Sequence, residues 1–159
     1  IDFVFRPHPL LFENLINKYW GNDKSREYLN NLLSNKNVKY STEGDYLELF
    51  AKSDALIHDC GSFIAEYFYT KKPCAYLYKK TLNPGKTWTS FGRECIDNHY
   101  LLKRQEDIFN FIDNVVINGN DYMSDKRIKF ANEKVRINYP NASKKIIEVI
   151  KKGINGDND

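Results

Sequence analysis

Cysteine is scarce in this chain. The three present in 159 residues, Cys60, Cys74 and Cys95, stand in unrelated contexts. That count gives neither a disulfide framework nor a paired metal motif, and a reducing, cytoplasmic setting is the default. The three histidines, His8, His58 and His99, are too far apart for metal-ligand spacing, so no metal is expected. No stretch approaches the ~20 apolar residues of a membrane span, and no signal-peptide pattern opens the chain. G-x-G-x-x-G and Walker motifs are missing, which argues against an ordinary dinucleotide site or a P-loop. There is no internal repeat and no low-complexity block. The net charge of +3 is too small to argue for nucleic acid.

What is present is a folded composition. Apolar residues make up 42% and aromatics 14%, mostly Tyr and Phe, in a length suited to one domain. One domain is expected over residues 1–155, with a disordered tail at 156–159. The first residue is Ile1 and Asp2-Phe3-Val4-Phe5 is already strand-like, so the chain reads as a fragment of something longer. Strands are expected at 2–6, 37–41, 55–57 and 74–78, with another short one within 95–102. Apolar spacing predicts helices over 10–19, 25–33, 46–51, 63–69, 105–117, 121–136 and 143–154. Asn83-Pro84-Gly85 signals a turn, and Thr87 to Gly92 reads as a loop of hydroxyls and aromatics. Alternation of strand and helix calls for a parallel sheet with right-handed crossovers and helices on both faces.

The chain is organised around Leu56-Ile57-His58-Asp59-Cys60-Gly61-Ser62-Phe63-Ile64-Ala65-Glu66. A strand, a small-residue turn and a helix start make a place for an anion, because the first N–H groups of a helix lack internal partners. Gly61 would let a ligand approach, Ser62 would add a hydroxyl, and Glu66 would share a helix face with Ser62. The plainer alternative is that Asp59 or Ser62 caps the helix. In parallel sheets ligands bind at the carboxyl ends of the strands. Four polar clusters fall there: Arg6 and His8, Thr42 to Asp45, Asp59 to Ser62, and Lys79 with Lys80.

Each candidate has two readings. His8, between Pro7 and Pro9, can donate to a phosphate or act as a general acid/base, or it can be a loop histidine satisfied by backbone carbonyls. Arg6 can pair with a phosphate or be a solvated strand residue. Asp45 is placed as an N-cap. Glu66 can accept from a ribose or polyol hydroxyl, or simply favour the helix dipole. His58 lines the cleft or packs, and His99 reads as surface. Cys60 adjoins the turn, but no base for it as a nucleophile is identifiable. From Asp121 to Gly153, nine Lys/Arg face four Asp/Glu. That excess suits an anionic membrane surface or a polyanionic acceptor, or else a solvated helix face.

Phe5-Arg6-Pro7-His8-Pro9, the helix opened by Asp45, Ser53-Asp54-Ala55-Leu56-Ile57-His58-Asp59-Cys60-Gly61-Ser62 with Glu66, Lys72-Pro73, and Asn141-Ala142-Ser143-Lys144-Lys145-Ile146 together resemble the CDP-glycerol glycerophosphotransferase family. Its members build teichoic acids and capsule polymers. The likeness covers residues 1–80, weakens over 81–120 and returns at the end. It implies one half of a GT-B fold, the C-terminal Rossmann-like domain that binds the CDP-linked donor, with no further cofactor. On this resemblance His8 is catalytic and meets the donor pyrophosphate together with Arg6, Asp59, Gly61, Ser62 and Phe63. Glu66 and Asp45 would meet the polyol or ribose. A polymer or lipid-linked acceptor would come through an N-terminal domain, at the inner face of the cell membrane. His58, Cys60, Gly61 and Glu66 depart from the family pattern. The cradle rests on backbone and Ser62, while the donor stays open between a polyol phosphate and a nucleotide sugar. A non-catalytic scaffold is the remaining alternative.

Overall fold

A computed structural model describes residues 1–42, 44–79 and 87–156. Lys80 and the turn signal at Asn83-Pro84-Gly85 lie outside the described residues, as do the last three residues of the tail. The chain divides into two compact units, Ile1–Tyr46 and Leu47–Asp159, and each is taken by itself.

In the first unit β1 (Phe3–Phe5) pairs in parallel with β2 (Val38–Tyr40), Phe3 opposite Val38 and Phe5 opposite Tyr40. A parallel pair needs a long crossover, and helices supply it. Helix α1 (Leu11–Asn14) widens into a π-type stretch, Leu15–Trp20, and α2 (Gly21–Leu33) follows. Gly21, at φ 76°, takes the left-handed conformation that lets the chain change direction there. The second helix therefore starts four residues before the expected Ser25. Ser25 is buried, its hydroxyl donating to the Gly21 carbonyl at 2.7 Å. Phe5 and Phe12 both pack on Tyr40, with ring centroids 6.1 and 6.0 Å away.

The second unit opens with α3 (Leu47–Lys52) and β3 (Leu56–His58). Helix α4 (Phe63–Glu66) tightens into a 3-10 turn, Tyr67–Thr70, before β4 (Cys74–Leu77). Then come α5 (Ser90–Ile96), β5 (Tyr100–Leu102), and α6 (Gln105–Asn110) continued by the π-type stretch Phe111–Ile117. The unit closes with α7 (Ser124–Phe130), continued over Ala131–Val135, and α8 (Ala142–Gly156). Strands β3, β4 and β5 form a parallel sheet in that order.

Side chains alternate across a strand, so this register sorts them onto two faces. Ile57, Ala75, Leu77, Tyr100 and Leu102 face Ile108, Phe111, Ile112, Val115 and Val116. On the other face His58 and Tyr76 lie opposite each other in register. His58 contacts Phe63 and His99 there, while Tyr76 contacts Trp88. Phe68 packs on Phe130 with centroids 5.3 Å apart. The unit is α/β with helices covering both faces of a parallel sheet, as the sequence pattern calls for. Among the described residues the sheets number two, one in each unit, where a single sheet is expected.

Two local expectations need correction. Thr89 to Gly92 is not a loop: the Thr89 hydroxyl accepts from Gly92 N–H at 3.1 Å and caps α5. The short strand expected within 95–102 is present as Tyr100–Leu102, with α5 ending before it at Ile96. Gly156, expected in the tail, ends α8. Among the described residues no helix is long and apolar enough to cross a membrane.

One charged cluster is enclosed. Arg127 is 1% exposed, paired through its guanidinium with both carboxylate oxygens of Asp121, and Nε donates to the Lys71 carbonyl at 3.2 Å. Tyr100 hydroxyl donates to Asp121 Oδ1 at 2.7 Å. Removing one partner strands a buried charge, which costs more than removing both. Asp121→Ala should therefore destabilise by about 3–5 kcal/mol, and Asp121→Leu with Arg127→Met by distinctly less. Urea denaturation of the two variants checks the order.

Candidate functional site

Strand β3 ends at His58, and the next four residues form the turn singled out in the sequence. Lys79 follows β4 on the neighbouring strand, and its ammonium lies 2.9 Å from Asp59 Oδ2. Both side chains are more than half exposed, so the pair is loose and solvent-facing. The hydrogen bond to Asp59 raises the Lys79 pKa and keeps it charged.

Ser62 does not cap α4 through its side chain. Its carbonyl accepts from the N–H groups of Ala65 and Glu66, at 3.1 and 3.3 Å, and its hydroxyl lies 3.3 Å from Cys60 Sγ. The capping alternative therefore does not hold for Ser62, and Asp59 is engaged with Lys79. Gly61 lies beneath Trp88, whose ring atoms would be 3.6 Å from a Cβ built there. That face of Gly61 meets an indole. The Phe63 ring turns inward onto Phe50, centroids 5.0 Å apart.

Glu66 lies elsewhere. It lines a hollow of about 650 Å³ with Leu47, Phe50, Ala51, Tyr69, Thr70 and Lys72, and none of the residues 59–62 belongs to that lining. A smaller cleft of about 220 Å³ is bounded by Tyr78, Trp88, Arg93, Ile96, Asp97, Leu101 and Lys103. Lys103 stands over the Tyr78 ring at 5.6 Å, and Arg93 donates to the Trp88 carbonyl at 2.8 Å. Trp88 touches both this cleft and the Gly61 turn.

Arg6, His8 and Asp45 belong to the first unit. Arg6 is not a solvated strand residue: its guanidinium donates to Ser41 Oγ at 3.3 Å and to the Gly44 carbonyl at 3.1 Å, and it covers the Tyr46 ring. His8 is exposed, and its Nδ1 accepts from the Leu10 N–H at 3.1 Å. A neutral imidazole whose Nδ1 accepts must carry its proton on Nε2. In this tautomer His8 offers an Nε2–H donor, while its Nδ1 is engaged by the Leu10 N–H. Asp45 is exposed and precedes α3 by two residues.

The residue that sequence reasoning missed is His99. Read as surface, it is 3% exposed, and its Nε2 lies 3.2 Å from Nε2 of the buried His58. Its Nδ1 donates to the Cys95 carbonyl at 2.8 Å, so its Nε2 is an acceptor, and the one proton of a neutral His58 serves either that Nε2 or the Cys60 carbonyl. His58 Nδ1 then faces the Cys60 carbonyl at 3.2 Å, inside the turn. The pair buttresses the turn from behind rather than lining it. Burial pushes the His58 pKa down to about 4, although the Cys60 carbonyl and Asp59 oppose this. Burial, with the positive fields of His58 and Arg127, pushes His99 down to about 3.

Cys74 and Cys95 are buried, and burial drives both thiols up to about 12, which leaves them unreactive. Among the described residues no group of three or more His, Cys, Asp or Glu side chains could hold a metal ion. Comparison with protein-family models, with characterised proteins and with solved structures finds no match to this chain.

Both buried histidines bind protons more weakly folded than unfolded. Their contribution is complete above the unfolded pKa of 6.5 and is lost as pH falls from there toward about 4 and about 3. Urea denaturation at pH 7 and pH 5 should show lower stability at pH 5, with a slope approaching about 1.4 kcal/mol per pH unit for each group. His99→Phe should flatten that dependence.

Proposed function

We propose that this chain is the donor-binding, Rossmann-like half of a GT-B transferase that moves glycerol phosphate, or a similar polyol phosphate, from a CDP-linked donor to a cell-surface polymer precursor. The observation that carries the reading is the exposed Lys79 beside the Asp59–Ser62 turn, at the carboxyl ends of two adjacent parallel strands. A parallel sheet offers ligands that edge. There a diphosphate would find an exposed ammonium, the Ser62 hydroxyl and a chain of small residues. Lys79 would exchange its Asp59 partner for a phosphate oxygen, since an exposed ion pair costs little to break. Helix α4 has only four residues, so Lys79 and Ser62 would supply more of the stabilisation than the helix dipole. Trp88 and Tyr78 would give a flat base something to stack against.

The reaction would be an in-line displacement at the donor's β-phosphate. An acceptor hydroxyl oxygen forms the new P–O bond as the bond to the bridging oxygen breaks, and CMP leaves. The hydroxyl proton passes to a base outside this chain, in keeping with the family resemblance. The His8 tautomer supports a donor role toward a phosphate oxygen rather than a base. Charge on phosphate is stabilised by donors aimed at it in advance. Glu66 faces a different hollow, which favours leaving the polyol contact out of its duties.

Calorimetry with CDP-glycerol, CDP and UDP-sugars tests the proposal on this chain. CDP-glycerol should bind weakly, and Lys79→Ala should weaken it by about tenfold, the worth of one charge-assisted hydrogen bond. Tight UDP-sugar binding without cytidine preference would point instead to a nucleotide-sugar enzyme. In the full-length protein, His8→Ala should lower transferase activity by about 10–100-fold, the worth of one hydrogen bond to a charged group, and Ser62→Ala should lower it too. Unchanged activity in both would leave a scaffold.

A further inference from the structure

Helix α8, Ala142–Gly156, is at odds with the rest of the second unit. Every side chain described in it is exposed, including Ile146, Ile147, Val149, Ile150 and Ile154, each between 50% and 70%. At 3.6 residues per turn these aliphatics and Ala142 fall within an arc of roughly 160°. All the helix's charges fall in the opposite sector of about 120°. Lys144 and Lys151 border the apolar arc on one side, and Lys145 and Lys152 on the other. The single acid, Glu148, lies between them and pairs with Lys145 at 3.1 Å.

An isolated helix of this length is marginal in water, so its stability depends on something covering the apolar arc. The charge pattern says which cover suits it. Lysines at both edges of an apolar face favour a surface that is apolar inside and anionic at its rim. Two copies packed face to face would bring those lysines together. A bilayer with acidic headgroups provides both features: the aliphatics sink to the acyl boundary and the lysine stems reach back to the phosphates. The helix is ~22 Å long, too short for the ~30 Å hydrocarbon core, so it would lie in the interface plane.

Three of the five cations of residues 121–136 are less suited to this task. Arg127 is enclosed with Asp121, Lys126 donates to the Asp97 carbonyl at 2.6 Å, and Arg136 is stacked over Tyr139. Among the described residues Lys144, Lys151 and Lys152 make no ion pair. Of the nine cations over residues 121–153, four lie on α8, and the exposed Lys129 and Lys134 add charge outside it.

We infer that α8 is an amphipathic membrane-surface helix that docks this unit on an anionic bilayer. The inference does not depend on the donor reading, because none of the residues proposed to hold the nucleotide lies on α8.

Cosedimentation of the whole 159-residue chain with vesicles tests it. Phosphatidylcholine vesicles carrying about 30% phosphatidylglycerol should bind it at least tenfold more tightly than phosphatidylcholine alone. Ile146→Asn with Ile150→Asn should lower binding at least tenfold, with unchanged circular dichroism of the unit. Lys144→Gln with Lys151→Gln should remove most of the preference for the anionic vesicles. Equal binding to both vesicle types would overturn the inference, as would wild-type binding by the isoleucine variant. So would a dimer in sedimentation velocity that the isoleucine variant abolishes, in a chain that ignores vesicles. Nucleotide calorimetry on the same variants should be unaffected, which separates this outcome from the fate of the donor proposal.

Discussion

Cys74, Ala75 and Tyr76 are buried one after another, so β4 must have an apolar layer on each face and a strand on each edge. Most of the second unit follows from that requirement. The helix over 105–117 covers the Ala75 face, and on the other face Tyr76 meets His58 and Trp88, while His58 meets Phe63 of α4 and His99. Because β3 and β5 run parallel to β4, their carboxyl ends come to the same edge, where Asp59 and Lys79 meet. The polar turn is a consequence of the burial of the middle strand.

The His58–His99 contact sits between these two levels. It belongs to the core by burial, yet one end of it touches the Cys60 carbonyl inside the turn. Two neutral imidazoles hold two protons for three contacts, so one contact goes without. The pair packs the turn against α5, where His99 donates to the Cys95 carbonyl, and makes its backing sensitive to acid. Trp88 adds a second contact from above Gly61. Anything bound at the turn would meet a backbone packed from two sides, with the exposed Lys79 ammonium beside it.

How much of this could be read beforehand depends on the kind of signal. Period-two and period-3.6 patterns carried the strands and most helices, because buried faces are apolar whatever their partners. Thr89 and Gly92 were harder: a single hydroxyl capping one N–H looks like any Ser/Thr-rich loop until the helix after it is seen. His99 gave no pattern at all, since its neighbours Asp97 and Asn98 are polar and its partner is 41 residues away. The separation of Glu66 from Ser62 had a similar origin. Sharing a helix face did not decide which hollow each side chain meets, because α3 packs against one end of that face. The alternation of strand and helix showed the class of fold, but hydrogen bonding into two separate sheets was beyond what period alone encodes.

The central claim is that the edge carrying Asp59, Ser62 and Lys79 holds a CDP-linked donor. Titration of CDP-glycerol into the isotopically labelled chain, followed by amide and indole NMR shifts, tests it most directly. Shifts should concentrate at Asp59 to Phe63, Lys79 and the Trp88 indole, with little change along α8. No saturable shifts, or shifts confined to the hollow lined by Leu47, Phe50 and Glu66, would contradict it.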